Sequence, residues 1–307
     1  MAKLTIGFIT YNELTAKYLP YFLASLKEQS FNDFDILVAD NSDSEDNENK
    51  GYIVRNHPEI DFEWMRENIG FARAYNRLIE KAKQNGAEYF MVINPDVILE
   101  KDAVRGLMET INKDDKLGSV CPKILSWDFV NNKKIQTIDS CGLIMPKALR
   151  FADLGQGERD EGQFVNKNII GPSGACGLFK MSALEKIKDE YGYFDSRMFM
   201  YKEDCDLAYR LFINGFKSKG VSESIVYHDR TASAQGESNL KILKNRKNKS
   251  RNVKKWSFMN QQIIFRKHWN KQSLLAKISI IWYQFKVLAY IIIFERYLLK
   301  HFLKVKK

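Results

Sequence analysis

"YFMVINPDVILEKDA", residues 89–103, decides how the first half of this chain is read. Tyr89 to Ile93 has the apolar run of a buried strand and stops abruptly on Asn94-Pro95-Asp96. Pro95 has no N–H for a sheet ladder and drives Asn94 out of helical geometry. A carboxamide and a carboxylate are thereby fixed on a corner at the strand's end. The chain turns apolar again at Val97-Ile98-Leu99, and "KDAVRGLMETINK" (101–113) then reads as a helix.

Outward from that corner the same alternation repeats. "LTIGFIT" (4–10), "FDILVAD" (34–40), "DFEWMRE" (61–67) and "LGSVCPKIL" (117–125) read as strands. Between them, "LPYFLASLKEQ" (19–29) sets Leu19, Phe22, Leu23 and Leu26 at helical spacing, and "FARAYNRLIEKAKQNG" (71–86) reads as a helix closed by Gly86. Strands and helices alternating at this interval predict an α/β fold with βαβ units and a mostly parallel sheet. Ligands of such sheets bind beyond the carboxyl ends of the strands, where strand order reverses. Thr10-Tyr11-Asn12, Asp40-Asn41-Ser42 and Asn94-Pro95-Asp96 stand at three of those ends. Each group alone is ordinary loop or cap chemistry. On one shared rim, they point to a nucleotide site. No G-x-G-x-x-G follows the first strand, where "TYNELTA" (10–16) stands instead, and that argues against a nicotinamide-dependent oxidoreductase.

From about residue 130 the pattern changes. "KIQTIDSCGLIM" (134–145) and "GPSGACGLFKM" (171–181) are strand-like and Gly-rich, separated by the polar "GQGERDEGQ" (155–163). They predict a mixed sheet or an added lobe forming the acceptor side, with glycine able to bend a strand tightly. "YKEDCDLAYRLFINGF" (201–216) reads as a helix packed on the core through Leu207 and Leu211. "KGVSESIVYHDR" (219–230) reads as a last strand ending in His228. Glu203, Asp204 and Asp206 crowd the first turn of that helix, where acids suit the dipole and cap. A carboxylate held there and partly shielded also suits a general base for an alcohol. His228 is one of four histidines, and an Asp96–His228 pair with diphosphate oxygens would suit Mn²⁺ or Mg²⁺.

Seven of these stretches, in this order, resemble family 2 inverting glycosyltransferases, and among them the bacterial rhamnosyltransferase-like members. They are "ITYN", "VADNSD", "ENIGFARAYNRLI", "VINPDV", "GPSGACGLFK", "YKEDCDLAYRL" and "VYHD", spread over roughly residues 3–230. The resemblance implies a GT-A fold, a Rossmann-like mixed, mostly parallel sheet flanked by helices. It also implies transfer of a sugar, with inversion, from a nucleoside diphosphate to an acceptor hydroxyl. By the same resemblance, Thr10, Tyr11 and Asn12 belong to the nucleoside pocket. Asp40 accepts from the base's N3–H with Asn41 beside it, and Asn68, Gly70 and Arg73 lie near base, ribose or diphosphate. Asp96 stands for the last acid of the D-x-D metal motif, with Asn94 where many relatives carry an acid. Asp204, second of the Glu203-Asp204 pair, stands for the catalytic base, and His228 completes the metal shell. The implied donor is dTDP-rhamnose, with UDP-sugars open. The implied acceptor is a lipid-linked or cell-surface glycan. The alternative is a non-catalytic sugar-nucleotide or glycan-binding protein that organises a membrane assembly.

Composition bounds the rest. The 307 residues are 45% hydrophobic, enough for one large core or two modest ones. Cys121, Cys141, Cys176 and Cys205 are scattered and are expected as reduced, buried thiols. "MAKLTIGFIT" lacks a signal peptide's long apolar stretch, so a cytoplasmic location is expected. Residues 237–307 carry 18 Lys and Arg against two acids, while residues 1–236 carry 30 against 36. That contrast divides the chain into a catalytic domain (1–236, nucleotide half to about 125) and a basic, amphipathic helical tail (237–307). The run "NLKILKNRKNKSRNVKKW" (239–256) suits an anionic surface, and no nucleic-acid motif supports the other polyanion. Lys277, Gln284 and Lys286 interrupt the aromatic last stretch, whose longest uncharged run falls short of the ~18–20 residues of a spanning helix. Helices lying on the inner face of the membrane are expected there. Packing on the catalytic domain, or a homo-oligomer through these helices, is the alternative.

Overall fold

The structure is a computed structural model that describes residues 3–165, 167–229 and 250–302. Its first half winds through β1 (Leu4–Thr10), α1 (Asn12–Ala16), α2 (Leu19–Lys27), β2 (Phe34–Asp40), α3 (Glu48–Asn56), β3 (Asp61–Trp64), α4 (Phe71–Gln84) and β4 (Tyr89–Ile93). The four strands are parallel neighbours in the order β3-β2-β1-β4. Helices cover both faces, which is why these strands are nearly continuous in apolar residues rather than alternating. Leu4, Ile6 and Phe8 of β1 share a core with Phe22, Leu23 and Leu26 of α2. On the opposite face, Leu37 and Ala39 of β2 pack with Tyr75, Leu78 and Ile79 of α4.

The second half adds β5 (Val97–Leu99), α5 (Ala103–Ile111), β6 (Leu117–Asp128), β7 (Lys133–Ser140), β8 (Leu143–Lys147), β9 (Arg150–Asp153), β10 (Asn168–Ile169), β11 (Cys176–Lys180), α6 (Met181–Ile187), α7 (Glu203–Ile213) and β12 (Lys217–His228). The sheet continues past β4 as β11-β6-β12-β10. β11 runs antiparallel to both neighbours, β6 and β12 are parallel, and β5 pairs antiparallel with the end of β12. That last pairing explains the second apolar run after Pro95. Val97 sits opposite His228, so the Asp96 corner and the end of the last strand are neighbours.

Several expectations need correcting. The strand predicted over 134–145 breaks into β7 and β8 at Cys141-Gly142, where Gly142 has φ +103°. Within 171–181 only Cys176–Lys180 joins the sheet. The helices α1 and α3 escape the sequence reading because α1 is five residues long and α3 buries only Asn49 and Ile53. All four cysteines are free and buried.

Most of the cationic run (239–249) lies outside the described residues. Beyond it stand α8 (Arg251–Lys267) and α9 (Leu274–Phe294). Helix α8 packs on the rest of the protein: Phe258 and Asn260 to Phe265 are buried, and Ile263, Ile264 and Phe265 share a core with Tyr209 and Ala208 of α7 and Leu149 of the β8–β9 hairpin. Helix α9 is long and apolar enough to cross a membrane, the two lysines notwithstanding, and only 11% of its apolar window is buried.

Candidate active site

Three strand ends build the nucleotide rim. Asp40 is fully buried. Its Oδ1 accepts from the hydroxyls of Thr10 and Ser42, both at 2.7 Å, and its Oδ2 accepts from the Asn47 carboxamide at 2.8 Å. Asp40, expected from the sequence to meet the base, therefore ties three segments together, with three of its acceptor positions filled from within the protein. Asn41 is the group left over: it is buried, and its Oδ1 has no hydrogen-bond partner. Asn12 exchanges hydrogen bonds with Asp43, and the half-buried Tyr11 caps α1, its amide donating to Thr15.

Below that rim, Asn68 Oδ1 accepts from the Gly70 amide at 3.0 Å. Gly70 has φ +81°, and a side chain there would meet the Phe199 carbonyl oxygen at 2.5 Å. That same carbonyl accepts from the Phe71 amide at 2.7 Å, and the Phe199 ring stacks on Trp256 of α8, centroids 4.9 Å apart. Arg73 is exposed, and its Nε donates to the Ser196 carbonyl at 3.3 Å. The 195–200 loop thus joins the nucleotide half to the C-terminal helix.

At the Asn94-Pro95-Asp96 corner, Asp96 Oδ1 is buried without a hydrogen-bond partner and lies 3.3 Å from His228 Nε2. The other ring nitrogen, Nδ1, is 2.8 Å from Asp139 on β7. Burial disfavours a charged ring, yet Asp96 and Asp139 on its two sides raise His228 to about 10. Asp229 stands next along the chain, its amide donating to the Asp96 carbonyl and its carboxylate accepting from Tyr18 at 2.6 Å. Among the described residues, no group of three or more His, Cys, Asp or Glu is arranged to hold a metal by itself. Asp96 and His228 would fit two positions of a shell that ligand oxygens complete, provided a cation displaces the Nε2 proton that now faces Asp96.

Asp204 sits in the first turn of α7, half-buried. Its Oδ2 accepts from the Gly174 amide at 3.0 Å and its Oδ1 from the Cys205 amide at 2.8 Å. One residue further, the Ala175 carbonyl accepts from the Asn94 amide at 2.9 Å. Two hydrogen bonds through Gly174-Ala175 therefore connect Asp204 to the Asp96 corner. The glycines of this loop serve the protein's own packing. A side chain on Gly171 would overlap Ala208 of α7, and one on Gly177 would overlap Pro172. Glu203 is buried with Oε2 unpartnered, and burial, then the neighbouring Asp204, pushes its carboxyl well above the usual range. Asp206 faces the other way, fully buried. Burial disfavours its charge, but His268 at 2.7 Å and the cations Arg210 and Lys267 hold it below the usual range.

The first turn of α7 is reached through two consecutive non-glycine residues in the left-handed region, Tyr201 (φ 72°) and Lys202 (φ 74°). Sequence reasoning missed what holds them, Asn260 of α8, and it missed Asp139 and the Lys267–His268 contacts to Asp206. Their partners lie some sixty to ninety positions away, and no local spacing announces them. The one available signal is polarity inside an apolar period, as in "NQQIIF" (260–265).

Comparison with known proteins agrees with this geometry. The glycosyl transferase family 2 profile matches residues 5–188. The chain is 29% identical over 187 residues to poly-beta-1,6-N-acetyl-D-glucosamine synthase of Staphylococcus aureus (strain COL), covering 60% of this chain and 40% of that protein's length. It is 27% identical over 252 residues to N-acetylglucosaminyl-diphospho-decaprenol L-rhamnosyltransferase of Mycobacterium tuberculosis (strain CDC 1551 / Oshkosh), covering 75% and 77%. Among solved structures, GalNAc-T7 with UDP, GalNAc and Mn²⁺ superposes with a TM-score of 0.58 at 14% identity, covering 84% of this chain and 50% of that one. S. aureus TarS gives 0.51 at 15%, covering 82% and 44%. These neighbours share the GT-A fold. With that sheet, that rim and a family profile matched over more than half its length, the chain belongs to glycosyl transferase family 2.

Proposed function

We propose that this protein moves a sugar from a nucleoside diphosphate to a hydroxyl of a lipid-linked or cell-surface glycan, with inversion, and that Asp204 is the base. The observation that carries the reading is the pair of hydrogen bonds through Gly174-Ala175, which fixes Asp204 relative to the Asp96 corner. The bond that breaks joins the anomeric carbon to the diphosphate oxygen, and the bond that forms joins that carbon to the acceptor oxygen. Asp204 takes the acceptor's proton, each of its oxygens accepting one backbone hydrogen bond and keeping further acceptor capacity. Asn41, whose buried Oδ1 lacks a partner, meets the base, while Asp40 holds the loop that carries it.

Asp96 and His228 would hold a divalent cation, Mn²⁺ or Mg²⁺, whose charge offsets that of the departing diphosphate. Asn94 in place of an acid leaves more of that shell to the diphosphate oxygens. The rhamnosyl relative supports dTDP-rhamnose as donor, with UDP-sugars next in line. For a lipid-linked acceptor, the proposed location is the cytoplasm, peripheral at the inner face of the membrane.

A donor panel with mass detection of transferred or hydrolysed sugar tests the proposal. Asp204→Asn is expected to abolish transfer while donor affinity, read by calorimetry, stays within about threefold of the parent. Equal turnover by that variant removes Asp204 from its role. Nucleotide binding without turnover of any donor by the parent would instead favour a sugar-nucleotide-binding protein.

A further inference from the structure

Helix α9 presents two unlike sides. Ile280, Tyr283, Gln284, Val287 and Ile291 face the protein at a spacing of three to four residues. Gln284 exchanges hydrogen bonds with Gln262 of α8, and Arg150 of the β8–β9 hairpin stacks on Tyr283 at 4.9 Å. These contacts hold one side of the helix against the protein.

Its outer side is apolar. Leu275, Ile278, Trp282, Phe285, Ile293 and Phe294 are 54–80% exposed in a 21-residue helix, a cluster that the rest of the described surface does not repeat. Beside them, α8 and α9 enclose an apolar groove of about 370 Å³, lined by Phe265, Trp269, Ile280, Ile281, Phe285 and Leu288.

Charge selects the occupant. Residues 238–294 contain no Asp or Glu, and Glu295, which follows, is buried 3.6 Å from Lys254. Arg266, Lys271, Lys286, Arg296 and Lys300 are exposed around the apolar face. Lys286 lies over Trp282 at 5.3 Å and Lys277 over Trp269 at 5.6 Å. Aromatic rings with ammonium groups drawn back over them match the depth profile of an interface, apolar inward and cationic at the headgroups. A second copy of this chain would bring the same positive charge against it.

We infer that α9, with the α8–α9 groove, docks on an anionic bilayer, lying in its plane while acyl chains enter the groove. This goes beyond the transfer reaction, and binding is read without any sugar donor.

The test is flotation of the full chain with vesicles of phosphatidylcholine carrying about one third phosphatidylglycerol, against phosphatidylcholine alone. The parent is expected to bind the anionic vesicles at least about tenfold better. The exposed double variant Trp282→Asp/Phe285→Asp should lose that binding by about tenfold or more while keeping its thermal midpoint. Failure to float, equal binding to neutral vesicles, or unchanged binding by the double variant overturns the inference, the last assigning attachment to the 239–256 run. Sedimentation as a dimer that the double variant abolishes, without flotation, assigns the face to a second copy and overturns it as well.

Discussion

Asn260 Nδ2 lies 2.7 Å from the carbonyl oxygen of Tyr201, and it donates its other hydrogen to the Met200 carbonyl at 2.9 Å. A buried carboxamide on the C-terminal helix thereby clamps the left-handed turn that aims α7 and Asp204. Each such non-glycine residue costs about 1–3 kcal/mol of backbone strain, which surrounding contacts must offset. Asn260→Ala is expected to lower kcat by about tenfold or more with donor affinity nearly unchanged. Adding Lys202→Gly, which accepts positive φ without strain, should recover part of the loss in steady-state assays. Equal loss of kcat and donor affinity would make the residue merely structural.

The Asp206 cluster fastens α8 to α7. Its fully buried carboxylate receives His268, Lys267 and Arg210 between 2.7 and 2.9 Å. Asp206→Asn leaves those donors short of a counter-charge and should cost roughly 3–5 kcal/mol in urea unfolding. A loss under about 1 kcal/mol would show that solvent reaches the cluster.

Asp40 and Asn41 are adjacent but act differently. Asp40→Ala frees Thr10, Ser42 and Asn47 at once and should lower the thermal midpoint. Asn41→Ala should leave the midpoint nearly in place and weaken nucleoside diphosphate binding by about tenfold, read by calorimetry. The reverse pattern would return base recognition to Asp40.

Glu203 gives a pH signature. Burial raises its carboxyl above the ordinary value of 4.5, so the native state keeps a proton that the unfolded chain releases. Stability from this group is complete below 4.5 and falls as pH rises towards the folded value. Glu203→Gln should therefore be more stable than the parent at about pH 7.5, with the difference closing near pH 4.5, as measured by urea unfolding at both. A constant difference would mean that Glu203 ionises in the fold.

The parallel half of the sheet was legible because buried strands such as "LTIGFIT" and "FDILVAD" are continuous apolar runs with polar ends. That Asp40, Asn94 and Asp96 stand on one rim follows from the same reading. Which of them face the ligand does not, because Asp40 and Asn41 differ by a half-turn of extended chain. The tail was harder still. Its composition records charge and apolarity, but α8 turns Asn260, Lys267 and His268 inward, each towards a partner on the other side of 237, where the charge contrast had suggested a division.

Phe199 touches three things at once: the Phe71 amide, the space left by Gly70, and the face of Trp256. Nature has in effect wired a fluorophore to the nucleotide loop. A ligand that displaces this loop disturbs the stacked rings, so the emission of a variant retaining Trp256 as its sole indole reports that displacement without chemical labelling.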